Sequence, residues 1–392
     1  MSKRPLRKSG TLLSRTAATI AAVIAFAQPV GAAVAAESPD TGSHSATQRA
    51  VDALHTKGGM PGVAAEASTR AGRWFGSAGF ADTDKQRGRT ADDRIRAGSI
   101  TKSFVAVVLL QLEAEKRLSL DDSVERWLPG VVQGNGNDGS KITVRQLLNQ
   151  TSGVPDSVST PEWREYMNGP GFLAHRYETR TPQQIVDMAL KYKPDFEPGK
   201  GWNYSNTNFV LAGMIIEKVT GSPYAKEAEK RIVDRLRLTH TTFPGVDPTM
   251  PAPHPIGYSK LYAPNPGPEI YDATEYNPSW SGATGEVIST TGDLNRFYSA
   301  LMKGALLPPA QQKELLTTVP TGSFFDYGLG LIVRTLTCGE KVYGHDGIVW
   351  GSLTSAATTA DGRHSLAFQL NGDWLEDGRL YQDVFEAEFC GT

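Results

Sequence analysis

Cysteine is almost missing from this chain: Cys338 and Cys390 are the only two in 392 residues. Two thiolates cannot complete a four-ligand structural zinc site. The seven histidines show no ligand spacing that would make up the difference, so no metal is expected. A disulfide-dense scaffold is excluded on the same count. Basic runs are absent beyond the first 15 residues, which leaves no footprint for nucleic acid. Long apolar stretches are absent too. Phe104–Leu112 is nine residues, far short of the ~20 that a membrane span requires. There is no G-x-S-x-G motif and no internal repeat.

What is present is an ordinary globular composition, 39% hydrophobic and 21% charged, with enough length for a large core. The N-terminus differs from the rest. Lys3, Arg4, Arg7, Lys8 and Arg15 precede the apolar run Thr16–Ala27, and a small-residue stretch ends at Ala36. This is the order of a secretory signal peptide, expected over 1–36 with cleavage near Ala36. The mature chain would carry 35 basic against 42 acidic side chains. It would be an acidic, extracellular protein without a stable membrane anchor. Export permits a disulfide, and Cys338 with Cys390 is the one available pair. Residues 37–47 read as a disordered leader.

Hydrophobic periodicity predicts helices over 48–56, 99–116, 144–149, 182–192, 206–220, 291–302, 309–316 and 380–389. It predicts strands over 63–68, 74–80, 325–334, 340–343, 353–359 and 365–371. Residues 134–141 read as a Gly/Asn-rich loop. Strand signals thus lie at both ends of the chain and helices in the middle. The expected fold class is α+β: an antiparallel sheet flanked by helices, formed by both chain ends, with a mostly helical insertion. The division expected within 48–390 is 48–97 plus 291–390 for the α/β part and 98–290 for the helical part.

Three short motifs carry chemistry. Ser99-Ile100-Thr101-Lys102 is the only S-x-x-K in the chain and opens its most apolar helix. Three residues of helix put the hydroxyl and the amine on one face. A lysine in a dry pocket loses basicity until it can take the serine proton. The helix N-terminus favours negative charge where an oxyanion would form. Tyr204-Ser205-Asn206 offers a phenol for proton transfer and an amide to hold a carbonyl. His345-Asp346-Gly347 follows a predicted strand, and its glycine would admit substrate backbone closely.

Together these motifs resemble those of the serine penicillin-recognising enzymes, in which S-x-x-K, Y-x-N and [KH]-x-G recur in this order. The segments 142–153, 204–213 and 327–331 add to the likeness, which runs from about residue 48 to the C-terminus. The chain is most similar to secreted actinomycete D-alanyl-D-alanine carboxypeptidases, relatives of class C β-lactamases. The resemblance implies that Ser99 is the acylated nucleophile and that Lys102 and Tyr204 share proton transfer. Asn206 would bind the acyl-side amide. His345 would orient Tyr204 and add positive potential. The N–H groups of Ser99 and Ile348 would form the oxyanion hole beside Gly347, and Trp280 would line the cleft. No cofactor is implied. The expected partner is a small peptide or peptidoglycan-derived substrate, with β-lactams as inhibitors, acting on a monomer.

One departure from the carboxypeptidase pattern bears on substrate. Those enzymes grip a terminal carboxylate with two hydroxyl residues and an arginine. The corresponding positions here are Asp346, Ile348 and, by ungapped count, Ile332, with Arg334 the replacement if the strand register differs. A substrate carboxylate facing Asp346 would be repelled by roughly 1–4 kcal/mol. The expectation is therefore a D-alanyl-D-alanine carboxypeptidase-like serine peptidase, with a D-aminopeptidase, amidase, esterase or transacylase as the alternative that suits Asp346. A β-lactam- or muropeptide-binding module without turnover is the alternative of another class.

Overall fold

The computed structural model describes residues 44–263 and 267–391. The segment 1–36, read above as a signal peptide, and residues 37–43 of the expected leader lie outside the described residues. The chain opens with helix α1 (Ser45–Thr56) and the hairpin β1 (Gly62–Thr69) and β2 (Gly72–Asp82), followed by the short β3 (Arg87–Gly88). Strands β4 (Val319–Pro320), β5 (Phe325–Tyr327), β6 (Ile332–Thr335), β7 (Lys341–Val349), β8 (Ser352–Thr359) and β9 (Ser365–Leu370) come from the other end. They form one antiparallel sheet in the order β4-β5-β6-β7-β8-β9-β1-β2-β3. The join between the two chain ends is the β1–β9 pair, with Val63 opposite Leu370, Ala65 opposite Phe368 and Ala67 opposite Leu366.

These six side chains alternate with others along their strands and so share one face. That face is covered by α1, through Val51 and Leu54, and by the C-terminal helix α5 (Gly378–Cys390), through Val384 and Phe385. Each such fully buried aliphatic or aromatic side chain contributes about 1.5–3 kcal/mol. The opposite face carries helix α4 (Thr291–Met302) and, beyond it, the helical region. At its centre is helix α2 (Thr101–Ala114), buried from Thr101 to Leu112. A helix apolar on all sides has no solvent face to keep, so it can be wrapped completely. Phe104 stacks on Phe297 of α4 at 3.9 Å, and helix α3 (Asn206–Thr220) packs along α2.

Several elements differ from the sequence reading. Residues 325–334 are not one strand: the chain reverses through Gly328–Leu331, and β5 and β6 pair with each other. The reversal is pinned where Leu148 O accepts Gly330 N–H and Gly330 O accepts the Ser103 hydroxyl, so it presses on α2. Helix α1 starts at Ser45 rather than at Gln48, because Thr47 and His44 both bind the carboxylate of Glu388 in α5. Residues 44–47 are therefore ordered, not part of a loose leader. The 134–141 loop holds a small hairpin, Gln133–Gly134 with Asn137–Asp138. Helices Pro161–Met167 and Pro170–His175 had no sequence prediction; each begins with a proline whose missing N–H costs nothing at a first turn. Cys338, in the β6–β7 turn, is bonded to Cys390 at the end of α5.

Candidate active site

The three motifs meet between the sheet edge and the helical region. Ser99 sits in a single 3-10 turn, Gly98–Ile100, that leads into α2. Gly98 has φ +54°, and a side chain there would strike the Ile348 N at 2.9 Å. Gly347 faces it: a Cβ on that residue would lie 1.9 Å from Ala97 O and 2.9 Å from Ser99 N. Two glycines thus let β7 lie directly against the Ser99 turn. The Ser99 and Ile348 amide nitrogens come together there, the arrangement an oxyanion hole requires.

Lys102 is fully buried in the first turn of α2. Its Nζ donates to Ser99 Oγ at 2.8 Å, Asn206 Oδ1 at 2.8 Å and Thr284 O at 2.9 Å. All three ammonium donors are used, yet burial still pulls its pKa down to about 7, with Asp156 opposing. Tyr204 lies with its ring 4.9 Å from that nitrogen and its phenol hydrogen-bonded to Ser99. Burial pushes this phenol above its ordinary value of 10, so it stays protonated at neutral pH.

Segment 149–160 sets the start of α3. Gln150 Oε1 accepts Ser205 N at 3.0 Å and Asn208 Nδ2 at 2.6 Å. Asp156 Oδ1 accepts Asn206 N at 2.9 Å and Asn206 Nδ2 at 3.2 Å. Tyr204 and Asn206 are thereby aimed at one point from the end of a loop and the first turn of a helix. Asp156 and Thr284 were absent from the sequence reading, and Gln150 was named there only as part of the segment 142–153, with no role. Asp156 lies three residues beyond that segment; Thr284 acts through its backbone, which leaves no sequence signal.

Three expectations require correction. His345 does not touch Tyr204 by hydrogen bond; the ring centroids are 6.3 Å apart. Its Nδ1 is 2.6 Å from Asp346 O and its Nε2 is 2.9 Å from the Tyr327 hydroxyl. A carbonyl can only accept, so the proton is on Nδ1 and Tyr327 donates to Nε2. Tyr327 then sets its ring edge-on to Tyr204 at 6.1 Å. Burial and the nearby Lys102 charge pull His345 down to about 4, so the ring is neutral and adds no positive potential. Asp346 does not face Ser99. Strand alternation turns it to the α5 side, where it pairs with Arg334 and accepts Ser355 Oγ at 2.6 Å and Tyr381 OH at 3.2 Å. Arg334 reaches it from β6 across Gly344, whereas Ile332, the ungapped match, lies opposite Gly344 and is buried. Trp280 does not line the cleft; it is 1% exposed, edge-on to Trp163 at 5.5 Å and beneath Arg180 at 4.4 Å. A fourth residue, Ile348, is 57% exposed near the end of β7; its side chain shares the face of Asp346, and it is the backbone N that lies against the Ser99 turn. Among the described residues no cluster of three His, Cys, Asp or Glu side chains is arranged to hold a metal.

The chain is similar to known proteins. The sequence model of the family described as Beta-lactamase matches residues 47–387. A penicillin-binding protein of Bacillus subtilis (strain 168) is 30% identical over 327 residues, 79% of this chain and 67% of that protein. Protein flp of Staphylococcus aureus (strain COL) is 29% identical over 239 residues, and the match covers 61% of this chain but only 44% of that protein. Among solved structures, a D-stereospecific amidohydrolase from Streptomyces sp. is 52% identical with TM-score 0.84, covering 89% of this chain and 99% of the other. A D-amino acid amidase from Ochrobactrum anthropi SV3, complexed with L-phenylalanine amide, is 29% identical with TM-score 0.74, covering 87% and 97%.

Proposed function

Because the chain belongs to the β-lactamase family of serine hydrolases, we propose that it cleaves amides or esters of D-amino acids through an acyl-enzyme on Ser99, with an uncharged leaving side rather than a terminal carboxylate. The observation that carries this reading is the Arg334–Asp346 pair. Arg334, on the strand beside the site, is 2% exposed and turns its Nη2 to an internal carboxylate on the face away from Ser99. It is not available to a substrate's terminal carboxylate. The lack of an available cation, and not repulsion by Asp346, favours the amidase alternative over the carboxypeptidase. The 52% identity to a D-stereospecific amidohydrolase supports the same choice.

The chemistry follows from the two shifted groups. Lys102, with a pKa near 7, is a free amine in about half the molecules at neutral pH, while Tyr204 keeps its proton. Lys102 Nζ takes the Ser99 proton as Oγ attacks the acyl carbonyl. The oxyanion forms against the amides of Ser99 and Ile348. Tyr204, hydrogen-bonded to Ser99, is the neutral donor that passes a proton to the leaving nitrogen or oxygen and recovers one from Lys102. Water then enters, gives a proton back along the same path, and releases the acid. We also assign the chain to the outside of the cell after cleavage near Ala36, on the N-terminal pattern alone.

The test compares D-phenylalanine amide with an N-acyl-D-Ala-D-Ala peptide bearing a free carboxylate, using Ser99→Ala as control. The amide is expected to turn over at least tenfold faster, and the Ser99→Ala enzyme not at all. Equal cleavage of the free acid would overturn the amidase reading, and residual activity in Ser99→Ala would overturn the nucleophile.

A further inference from the structure

Lys102 is balanced by a single charge. The titratable groups facing its nitrogen are Tyr204 from the loop before α3, His345 from β7 and Asp156 from the 149–160 segment. Tyr204 and His345 are neutral, the phenol protonated and the ring unprotonated. Asp156 stands behind Asn206, and its Oδ1 takes both the backbone and the side-chain N–H of that residue. It also receives Val158 N at 3.4 Å on Oδ1 and Ser159 Oγ at 3.2 Å on Oδ2. The Asn206 amide therefore has a carboxylate on its nitrogen and the Lys102 ammonium on its oxygen. An amide alone can turn over and exchange its two ends; between an obligate acceptor and an obligate donor it cannot.

We propose that Asp156 is the positioning residue of this site, locking the Asn206 amide in one orientation and acting through it as the counter-charge of Lys102. This rests on the reading of Ser99 and Lys102 given above and goes beyond it. The arrangement is a line of four groups, carboxylate, amide, ammonium and hydroxyl, that ends on the nucleophile. Burial pushes Asp156 up, and Asn206 and Lys102 hold it down, so carboxylate and amine titrate as a pair. When Lys102 gives up its proton, the Asn206 oxygen remains where it was, because Asp156 still holds the nitrogen. The site need not reorganise between the two protonation states, which keeps the carbonyl-binding N–H in place during acyl transfer.

Asp156→Asn tests the charge while preserving shape. Asparagine caps a helical turn as well as aspartate does, so Val158 N–H keeps its partner. The probe is the burst of p-nitrophenol from p-nitrophenyl acetate, which reads Ser99 acylation with a substrate that carries no amine or carboxylate. The wild-type rate should rise through about pH 7. In Asp156→Asn the acid limb should move down by about one pH unit, since the charge that favoured the ammonium is gone. The plateau should hold in Asp156→Asn, whose oxygen still accepts from Asn206, and should fall roughly tenfold in Asp156→Ala, where the Asn206 amide loses its acceptor and its orientation. Asp156→Ala should show the same shift and be rescued in part by added formate, which has no effect on the wild type. An unmoved limb, or a formate-insensitive Asp156→Ala with only a lowered melting temperature, would overturn the assignment and leave Asp156 a structural cap. A wild-type enzyme that gives no burst would instead overturn the reading of Ser99 itself, and this inference with it.

Discussion

Lys102 illustrates how one side chain can serve chemistry at the expense of stability. Its folded pKa of about 7 lies below the ordinary 10.5. Between pH 10.5 and 7 the unfolded chain binds a proton that the folded chain declines, so stability falls as pH drops through that window. Below 7 both states are protonated and the loss stops growing. The shift corresponds to roughly 5 kcal/mol at the lower end. Lys102→Met is therefore expected to abolish acylation without lowering the melting temperature at pH 7; a fall of several degrees in a thermal scan would refute this. His345 gives the complementary case. A neutral ring that only accepts from Tyr327 and donates to Asp346 O can be mimicked by an amide, so His345→Gln should keep more than a tenth of the activity, whereas His345→Lys would place a second charge beside Lys102 and lose over a hundredfold. Steady-state rates on an amide substrate decide both. At this scale the sequence was informative about the side chains that meet around Lys102, namely Ser99, Tyr204 and Asn206. It was silent where backbone supplies the group, as Thr284 O does, and misleading where strand alternation decides the direction, as for Asp346.

The elements that hold these residues were legible in proportion to their burial. The stretch 291–302 was read to the residue, because a strongly amphipathic helix announces both its faces and Thr290 caps it. The β5–β6 reversal was missed because Tyr327–Leu331 alternates large residues with glycine and runs on into the apolar Ile332 and Val333, and only contacts with α2 turn it. Helix α5 deserves a separate test. Tyr381 binds Asp346, the Cys390 end is bonded to Cys338, and Arg334 lies 5.0 Å from the Phe385 ring. Arg334→Met removes the partner of a partly buried carboxylate and should cost about 2–4 kcal/mol in denaturant unfolding. Cys338→Ser with Cys390→Ser opens a loop of 52 residues and should cost about 4 kcal/mol in the chain-entropy account. Unchanged midpoints in either variant would show that α5 is held by its apolar face alone.

The whole molecule joins its two chain ends in one sheet and places a mainly helical region between them. Strand signals clustered at both termini of the sequence were sufficient to infer that plan, because antiparallel edges must find partners and the only unpaired strands lay far apart in the chain. Among the described residues no helix is long and apolar enough to cross a membrane. If export proceeds as proposed, mass spectrometry of protein from a culture medium should find an N-terminus near residue 37; an intact Met1 would refute it.

The meeting of α1 and α5 has a use outside the reaction. His44 and Thr47 both touch Glu388, so the first and last of the described residues are neighbours. They lie on the sheet face that α1 and α5 cover, while Ser99 is served by the other face. A linker of about ten residues is long enough to join them. New ends can then be opened in the exposed β1–β2 turn at Arg70 and Ala71. Such a circular permutant, or an enzyme tethered to a surface through either natural end, would present its cleft outward without obstruction.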